Sequence, residues 1–570
     1  MSATERDAEL VYAMTHLGQP PEPPEWWRGA VFYEVYLPSF NDATGDGIGD
    51  IPGIAEKLEY LHGLGVDGLW LTPPYASPHE DSGYDVSDFL TVHPPFGTVD
   101  DLRTLVAKSH ALGLKVMLDF ILGHTSDQHP WFVESASSRD NAKADWYVWA
   151  DPAADGGPPN NWISSFGGRA WRWEPRRAQY CYRPFLRSQP ALNLSNQQVL
   201  AEMMDILRYW LDIGIDGFRI DAVQCLSFDR DLRSNPPARP AENPSVGGGP
   251  NNPFKKQMHL FDRDVPEAIP ILHQIRRIAD EYQPQRVLIG ELADVDSSRL
   301  APKYTVGDDR LHAVYDFDLI NRSDTLLDWT NMLEVRSRYL VPGSSYNVFT
   351  NHDSERAVSN LMPRACAAGR AREAAKLLLF LQATLSGGTI LFQGEELGLE
   401  QPELAPEEIR DPWAKALWPD FPGRDGVRCA MPWDSTALHC GFTSAPRPYH
   451  KVPESHRQQA VELQERDPRS VLHFSRALLR WRRGVPFLRT ASETILNDLP
   501  RRVIGFERKK NGDSLLCFAN FGQSEVAIPL PQIAVRIDFQ AGTARVEGNR
   551  LTLGPLAVAA LPGHEREDPP

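Results

Sequence analysis

The stretch GFRIDAVQ, residues 217–224, carries the pattern that decides the fold. Apolar Phe218 and Ile220 alternate with charged Arg219 and Asp221, and such alternation is typical of a β-strand. The two charged side chains would share one face of the strand, and the mostly apolar flanks indicate that the strand is buried. A buried strand with an arginine and an aspartate on the same face calls for a chemical explanation.

Seven further apolar runs accompany this one, and amphipathic segments separate them. The eight runs are VFYEVYLP (31–38), VDGLWLTP (66–73), LKVMLDFIL (114–122), IDGFRIDAV (215–223), RVLIGEL (286–292), LHAVYDF (311–317), YNVFTNHD (346–353) and GTILFQGEE (388–396). Helical periodicity is found at 51–65, 99–113, 196–214, 266–282 and 372–385. Eight alternations of strand and helix predict an α/β fold of the (β/α)8 TIM-barrel class.

The spacing of the runs predicts an insertion. Glu291 and Asp353 lie 62 residues apart, which is about two βα units of roughly 31 residues each. His124 and Asp221 lie 97 residues apart, although they belong to consecutive strands. We therefore expect an inserted lobe in the third βα loop, and further long loops at 234–254 and about 398–465.

Beyond residue 487 the pattern changes to alternation around an NG turn, which is typical of hairpins. These features predict four parts of the chain. They are an N-terminal extension (1–25), a catalytic barrel (26–124 and 196–486), the inserted lobe (125–195) and a C-terminal antiparallel β domain (487–570).

Composition narrows the classes of partner and location. The net charge is −17 and no basic run occurs, which argues against nucleic acid and anionic membranes as partners. Six cysteines without a CxxC pair favour reduced thiols over a disulfide framework or a zinc site. The sequence shows no secretory signal at its start and no run of eighteen apolar residues. We expect a cytoplasmic enzyme, either a monomer or a homodimer.

Charged residues gather at the carboxyl ends of the predicted strands, where barrel enzymes place their active sites. They are Asp119 and His124 on strand three, Arg219 and Asp221 on strand four, Glu291 on strand five, and His352 and Asp353 on strand seven. Each acid alone would more often be a helix cap or a loop hydrogen-bonding group. Together on one rim they predict a catalytic centre.

The explanation for GFRIDAVQ follows from this placement. Arg219 on the same face should depress the pKa of Asp221 and keep its carboxylate ionised, as suits a nucleophile. Glu291 has no basic neighbour in its run VLIGEL, so burial should raise its pKa and suit it to proton donation. Two carboxylates with separated pKa values fit the cleavage of a glycosidic bond.

Four motifs now carry a family resemblance: GFRIDAV (217–223), VLIGE (287–291), FTNHDSER (349–356) and GHTSDQH (123–129). From residue 26 to about 570 the chain resembles family 13 of the glycoside hydrolases, the α-amylase family, in its bacterial α-glucosidase and α-glucosyltransferase branch. The resemblance implies that Asp221 is the nucleophile with Arg219 as its partner, and that Glu291 is the general acid. It further implies sugar contacts by His124 to the 6-hydroxyl, and by His352 and Asp353 to the 2- and 3-hydroxyls.

Two more motifs, DSGYD (81–85) and GRDGVR (423–428), resemble enzymes of this branch that remove single terminal glucoses. The resemblance implies that Asp81 binds the non-reducing glucose and that Tyr84 stacks on its ring. Arg428 would pair with Asp81 and close the pocket behind one glucose, which makes the site exo-acting. Departures from the family pattern at Gly123, Ala191 and Phe392 affect none of these groups.

Ala222, directly after the nucleophile, bears on the choice of linkage. In the resembled branch a valine at this position accompanies α-1,6 cleavage, whereas smaller or polar residues accompany α-1,4 cleavage. We therefore expect a preference for maltose-like α-1,4 glucosides. The alternative is that Ala222 only packs against a neighbouring helix.

The stretch NDATGDGIGD (41–50) predicts a structural cation site. Oxygen ligands at alternate positions around glycines suit a hard cation such as Ca²⁺ or Mg²⁺. The alternative is a turn held by side-chain hydrogen bonds to the backbone. The predicted ligands are Asp42, Thr44, Asp46, the Ile48 carbonyl and Asp50. No organic cofactor is expected.

The resemblance leaves several functions open. The leading hypothesis is a retaining, exo-acting α-glucosidase that acts on small-molecule α-glucosides and either hydrolyses them or transfers glucose. A sucrose hydrolase or amylosucrase-like glucosyltransferase uses the same residues, and so does a trehalose synthase-like isomerase. A non-catalytic interaction subunit is disfavoured, because Asp221, Glu291 and Asp353 are all present.

Overall fold

The computed structural model describes residues 25–238, 251–294, 296–320, 326–362, 369–530 and 536–563. The predicted N-terminal extension lies outside the described residues except for Glu25, and so does most of the predicted loop 234–254. Among the described residues, no helix combines the length and the apolar character needed to span a bilayer.

Eight parallel strands close into a barrel in which each strand pairs with its neighbours in the chain, and the last strand pairs with the first. The strands are β1 (Val31–Val35), β2 (Gly68–Leu71), β3 (Lys115–Phe120), β4 (Gly217–Ile220), β5 (Val287–Leu292), β6 (Ala313–Asp316), β7 (Ser345–Asn347) and β8 (Gly388–Phe392). On β1, Phe32 stands opposite Gly68 of β2 and Ile390 of β8. All eight predicted strands and the barrel fold are confirmed.

Helices surround this barrel. The main ones are Ile51–Glu56, Leu58–Leu64, Val99–Ala111, Gln197–Ile213, Ile269–Asp280, Ser297–Thr305, Leu326–Tyr339, Ala371–Thr384 and Val471–Arg483. Sequence signals set their ends: Thr98 and Asp101 form a reciprocal cap before Val99, and Gly214 takes the left-handed conformation after Ile213. Each of the five predicted helical segments coincides with a helix, whereas 297–305, 326–339 and 471–483 had not been predicted.

Between β3 and the helix Gln197–Ile213 the chain forms a small lobe, which we call the inserted lobe. Its three-stranded antiparallel sheet consists of Trp149–Ala150, Trp171–Glu174 and Gln179–Tyr182. Aromatic rings fill its core, where Trp162 packs on Trp171 and Tyr182. After β2, a separate hairpin pairs Tyr75–Ala76 with Asp88–Val92.

The C-terminal domain is antiparallel, as predicted. Its five-stranded sheet contains, in spatial order, Ser492–Ile495, Val503–Lys510, Asp513–Asn520, Val558–Pro562 and Phe539–Ala541, and its three-stranded sheet contains Val526–Pro529, Arg550–Leu553 and Ala544–Glu547. Buried Arg508 connects this domain to the barrel. Its guanidinium donates to the carbonyl oxygens of Thr384, Leu488 and Ala491.

Candidate active site

The carboxyl ends of the barrel strands open into a cavity of about 380 Å³. Loops after β2, β3, β4, β7 and β8 contribute to its wall, together with the end of β5 and the inserted lobe. The predicted site residues that line it are Asp81, Tyr84, His124, Asp221, Glu291 and Asp353. Six residues spread over 272 positions of sequence therefore border one space.

Arg219 on β4 is the electrostatic centre of the site. Its guanidinium lies 2.6 Å from a carboxylate oxygen of Asp119, 2.7 Å from one of Asp221 and 2.6 Å from one of Glu291. It also donates to the hydroxyl of Tyr315 at 3.0 Å. The guanidinium is buried, so the three carboxylates share one positive charge away from solvent.

This sharing corrects one prediction. Burial raises the pKa of Asp221 to about 7, against the opposing effect of Arg219, so the predicted net depression of this pKa is wrong. Burial likewise raises the pKa of Glu291 to about 7, as expected for a proton donor. The physical reason is that Arg219 also serves Asp119 and Glu291, and one cation cannot offset the burial of three carboxylates.

Glu291 and the end of β4 are directly connected. The backbone N–H of Ala222 donates to Oε2 of Glu291 at 3.0 Å, which fixes the proposed acid beside the residue that follows Asp221. Ala222 has a φ of 41°, in the left-handed region that side chains rarely occupy, and it lines the cavity. The chain therefore turns sharply immediately after Asp221.

The predicted ion pair between Asp81 and Arg428 is not formed. Asp81 instead pairs with Arg424, whose NH2 lies 2.9 Å from Oδ1, and accepts a hydrogen bond from Gln189 at 2.9 Å. Arg428 pairs with Asp353 at 2.6 Å and donates to the hydroxyl of Ser82. Both arginines belong to GRDGVR, so the motif was recognised but the partner was assigned to the wrong arginine.

Arg424 has a further anchor that the sequence did not reveal. Buried Asp411 accepts from both Nε and NH2 of Arg424, at 3.0 and 2.8 Å. NH1 of Arg424 reaches Asp353 at 3.1 Å. The guanidinium also lies over the rings of Phe166 and Trp413, 5.3 and 5.6 Å from their centroids. Arg424 thus joins the inserted lobe, the loop after β8 and two site carboxylates.

The two predicted histidines are placed differently. His124 lines the cavity, with Nε2 3.1 Å from the carbonyl of Tyr84, and burial lowers its pKa to about 4. His352 is fully buried and stacks flat on Tyr84, with 5.2 Å between ring centroids. Tyr84 donates its hydroxyl to Asp119 at 2.8 Å.

Loops from three parts of the chain meet above the cavity and form what we call the roof. The side chain of Asn252 donates to the carbonyl of Ser165, and that of Asn251 donates to a carboxylate oxygen of Asp420, each at 2.9 Å. The rings of Phe166 and Trp413 approach to 4.8 Å between centroids. The roof therefore links the inserted lobe to the loops after β4 and β8.

The 42–50 loop makes extensive hydrogen bonds of its own. Asp42 accepts from the N–H groups of Gly45 and Gly47, Asp46 from that of Ile48, and Asp50 from those of Ala43, Thr44 and Gly53. In the part of the chain that the structure describes, no three His, Cys, Asp or Glu side chains gather as a metal site would require. The side chains here fit a hydrogen-bonded turn better than a cation cage, and the cation stays a prediction.

Comparison with known proteins decides the family. The family model described as the alpha amylase catalytic domain matches residues 34–491, which is most of the chain. The chain belongs to the α-amylase family.

Relatives within the α-amylase family extend over nearly the whole chain. A probable alpha-glucosidase of Rhizobium meliloti (strain 1021) is 42% identical over 510 residues, which cover 89% of this chain and 91% of that protein. An oligo-1,6-glucosidase of Heyndrickxia coagulans is 32% identical and covers 89% of this chain and 94% of its own length.

Solved structures of the family show the same architecture. The alpha-glucosyl transfer enzyme XgtA superposes with a TM-score of 0.89 at 42% identity, over 95% of this chain and all of that one. The trehalulose synthase MutB from Pseudomonas mesoacidophila MX-45 superposes with a TM-score of 0.84 at 29% identity, over 95% of this chain and all of that one. This α-amylase family member is therefore a glycoside hydrolase of the glucosidase and glucosyltransferase group.

Proposed function

We propose that the enzyme is a retaining, exo-acting α-glucosidase that releases or transfers the terminal glucosyl unit of maltose-like α-1,4 glucosides. The observation that carries the proposal is the anchored position of Asp81 on the cavity wall. There Asp81 is held by Arg424 and Gln189, in the same space that Asp221 and Glu291 border. We infer that this part of the wall offers hydrogen-bond partners to a terminal glucose and ends the sugar chain there.

In the first step, the Asp221 carboxylate attacks C1 of the glucosyl unit, and Glu291 gives its proton to the glycosidic oxygen. The bond between C1 and that oxygen breaks, the leaving sugar departs as an alcohol, and glucose remains as an ester on Asp221. In the second step, ionised Glu291 takes a proton from water or a sugar hydroxyl. The oxygen so activated attacks C1 and displaces Asp221, which restores the α-configuration.

The electrostatics of the site suit this sequence. Positive charge develops at the ring oxygen and C1 in both transition states, and the cavity carries more carboxylates than arginines. The raised pKa of Glu291, about 7, favours a protonated acid near neutral pH. The first step requires the proton to be on Glu291 while Asp221 is ionised. The two carboxyl groups interact, so they titrate as a pair.

The position of Ala222 supports the proposed linkage preference. It lines the cavity beside Glu291, on the side from which the leaving sugar accepts its proton. A methyl side chain there leaves more room than a β-branched one. Isomaltose-like substrates would approach Glu291 through a different, more flexible linkage.

Transfer from sucrose is the second candidate function, either as an amylosucrase-like or sucrose hydrolase reaction. The structural likeness to a trehalulose synthase favours keeping it, together with trehalose synthase-like isomerisation, because all of these reactions pass through the same glucosyl ester. These reactions differ in which hydroxyl group attacks the glucosyl ester in the second step.

Product analysis by NMR tests the proposal. The enzyme is incubated separately with maltose, isomaltose, sucrose and trehalose, and the first-formed products are followed in time. We expect maltose to be the best substrate and α-glucose to appear before β-glucose. First-formed β-glucose would contradict retention, and faster turnover of sucrose would favour the second candidate. An Asp221→Asn variant serves as the inactive control.

Three further expectations stand beside this function. We propose a monomer or homodimer without nucleic-acid or membrane partners, which light scattering after gel filtration checks. A cytoplasmic location is part of the same proposal. The structural Ca²⁺ or Mg²⁺ is tested together with loop stability below.

A further inference from the structure

Glu34, on β1, makes a contact that the proposed mechanism does not use. Its side chain is fully buried, and Oε1 lies 2.6 Å from Nδ1 of His352. The backbone N–H of His352 also reaches Oε1, at 3.3 Å. Oε2 of Glu34 finds no hydrogen-bond partner among the described residues. An ionised carboxylate with one oxygen unpaired and buried would be costly.

The imidazole of His352 is held rigidly. Tyr84 stacks on it at 5.2 Å with 10° between the ring planes, and Tyr36 at 6.3 Å with 12°. Nε2 on the far side of the ring lies 3.5 Å from Oδ1 of Asp353. The ring therefore connects Glu34 to one of the three site carboxylates.

The charge on Asp353 decides which nitrogen carries the proton. Burial opposes ionisation of Asp353, but the permanent charges of Arg424 and Arg428 help to hold its pKa well below the usual range. A nitrogen lone pair facing this carboxylate would be repelled, so Nε2 must carry a hydrogen. Arg424 and Arg428 donate to Oδ1 of Asp353 at 3.1 and 2.6 Å, and Nε2 of His352 faces the same oxygen from 3.5 Å without forming a hydrogen bond.

The other nitrogen is then an acceptor. Burial lowers the pKa of His352 to about 3, with Arg428, Arg219 and Arg424 opposing the effect of Asp353, so the ring is neutral. A neutral imidazole carries one hydrogen, and with that hydrogen on Nε2 the atom Nδ1 offers a lone pair. Its partner at 2.6 Å must be a donor. Glu34 can donate only as the protonated acid, and burial raises its pKa well above the usual range.

We propose that Glu34 is a positioning residue: as the neutral acid it donates a hydrogen bond to Nδ1 of His352 and thereby fixes the tautomer whose Nε2–H faces Asp353. This role deepens the proposed glucosidase function and rests on it for its consequence in catalysis. Without Glu34, the ring could present a lone pair to Asp353, and the carboxylate proposed to orient the sugar would face a repulsive nitrogen instead of a polar N–H.

Two substitutions separate this role from simple packing. Glu34→Gln keeps the size and offers an amide N–H to Nδ1, whereas Glu34→Met keeps the length and offers no hydrogen bond. The same pair of substitutions at Glu396 provides the matched control. Glu396 is also fully buried and accepts from the hydroxyls of Tyr33 and Tyr60, away from the cavity.

We expect Glu34→Gln to keep kcat within about threefold of wild type and to leave the pH profile unmoved, because one neutral group replaces another. Glu34→Met should lower kcat by about 10–100-fold, by analogy with the loss seen when the hydrogen-bond partner that orients a metal-ligating histidine is removed. KM should change less, and the Glu396 variants should alter only thermal stability. Wild-type kcat in Glu34→Met, or a displaced pH profile in Glu34→Gln, would overturn the proposal.

A measurement without substrate keeps this test independent of the proposed function. In ¹⁵N-histidine-labelled enzyme, the His352 signals are assigned by difference from His352→Asn. We expect a protonated Nε2 and an unprotonated Nδ1 in wild type and in Glu34→Gln, and a mixture of tautomers in Glu34→Met. A proton on Nδ1 in the wild-type enzyme would refute the assigned role, whatever the enzyme's substrate.

Discussion

Arg219 and Arg424 each contact three carboxylates: Arg219 contacts Asp119, Asp221 and Glu291, and Arg424 contacts Asp81, Asp353 and Asp411. At the scale of single residues, this sharing controls the site. Each guanidinium holds its partners in place, yet neither neutralises them, so the cavity keeps an excess of negative charge. A cationic transition state benefits from that excess.

The first prediction concerns Arg424. Arg424→Met should raise KM for maltose strongly, because removal of the cation leaves buried Asp81 without its ion-pair partner. Breaking a buried pair in this way costs about 3–5 kcal/mol. Steady-state kinetics measure the effect, and Arg410→Met, which alters an exposed arginine of the same loop, is the control. An unchanged KM in Arg424→Met would show that Asp81 does not hold the glucose.

The second prediction concerns pH and Glu291. Its pKa is raised from 4.5 to about 7 in the folded enzyme, chiefly by burial. As pH rises from about 4.5 to 7, the unfolded chain loses this proton first, so the wild-type enzyme loses stability over that window. Glu291→Gln removes the penalty.

We therefore expect Glu291→Gln to have nearly the same unfolding free energy as wild type at pH 4.5, and to exceed it at pH 8 by on the order of 3 kcal/mol. Denaturant unfolding at both pH values measures the difference. The variant should also lose most of its activity. Equal stability of the two proteins at pH 8 would contradict the raised pKa.

The third prediction concerns Ala222. Ala222→Val should shift the ratio of kcat/KM for maltose and isomaltose toward isomaltose, by about 10–200-fold for such a change in pocket shape. Because Ala222 has a positive φ, a β-branched side chain should also lower the melting temperature.

Ala178→Val separates these two effects. Ala178 has a φ of 48°, but it lies exposed in the inserted lobe and outside the cavity lining. This control should lower the melting temperature and leave the ratio unchanged. If Ala222→Val behaves in the same way, Ala222 does not set the linkage.

At the scale of elements, the sequence predicted strands better than helices. Each barrel strand is a short apolar run that is buried on both faces, and this pattern is easy to recognise in the sequence. All eight strands were therefore predicted. The helix Ser297–Thr305 contains Pro302, which is atypical of a helix interior. The helix Val471–Arg483 does bury one face, with Val471, Leu472, Leu478 and Leu479 at helical spacing, but it was not predicted from the sequence.

The predicted strand ends located the site residues, whereas the sequence did not reveal the ion-pair partners of those residues. Asp221 and Glu291 were placed by strand ends, but the loop that carries Arg424 and Arg428 has no period, so sequence could not choose between them. The pKa of Asp221 depends on Asp119 and Glu291, which other strands supply. Contacts across the barrel join residues that are far apart in the sequence, so sequence spacing cannot predict them.

The fourth prediction concerns the 42–50 loop. Asp50→Ala should lower the melting temperature by several degrees, since its carboxylate caps the helix Ile51–Glu56 and accepts from the N–H groups of Ala43 and Thr44. Calorimetry measures the loss, and Asp46→Ala, which removes one exposed hydrogen bond, should have a smaller effect.

The same melting experiment with excess chelator examines the cation. A loop held by these hydrogen bonds alone melts at an unchanged temperature. A fall of several degrees on chelation, restored by Ca²⁺ or Mg²⁺, would establish the ion predicted from the sequence. The active-site carboxylates belong to other elements, so kcat should not respond.

At the scale of the whole molecule, the C-terminal domain is fixed to the barrel by a buried polar contact. Arg508 donates to four backbone carbonyls, those of Thr384, Leu488, Ala491 and Ser492, of which Thr384 ends a barrel helix. Removal of the guanidinium takes a hydrogen-bond donor away from each of these four acceptors.

The fifth prediction follows. Arg508→Met should lower the unfolding free energy by about 3 kcal/mol, because buried acceptors left without donors cost about 1–3 kcal/mol each and part of that cost relaxes. Chemical denaturation measures it, and Arg501→Met, an exposed arginine of the same domain, should be neutral. Unchanged stability in Arg508→Met would mean that water replaces the guanidinium freely.

The position proposed for glucose beside Asp81, and the roof over the cavity, impose an order on departure. In the proposed function, glucose lies against Asp81 and Arg424, and the sugar split from it lies nearer the mouth. The outer sugar must go first, and glucose leaves last through the space that the outer sugar has vacated. A molecule that stays bound in the outer part of the cavity delays product release. If that molecule has a hydroxyl group within reach of C1, it leaves with the glucosyl unit attached. Occupancy of the outer part of the cavity by an acceptor, more than the affinity for glucose, would then decide how often the glucosyl unit is transferred to water.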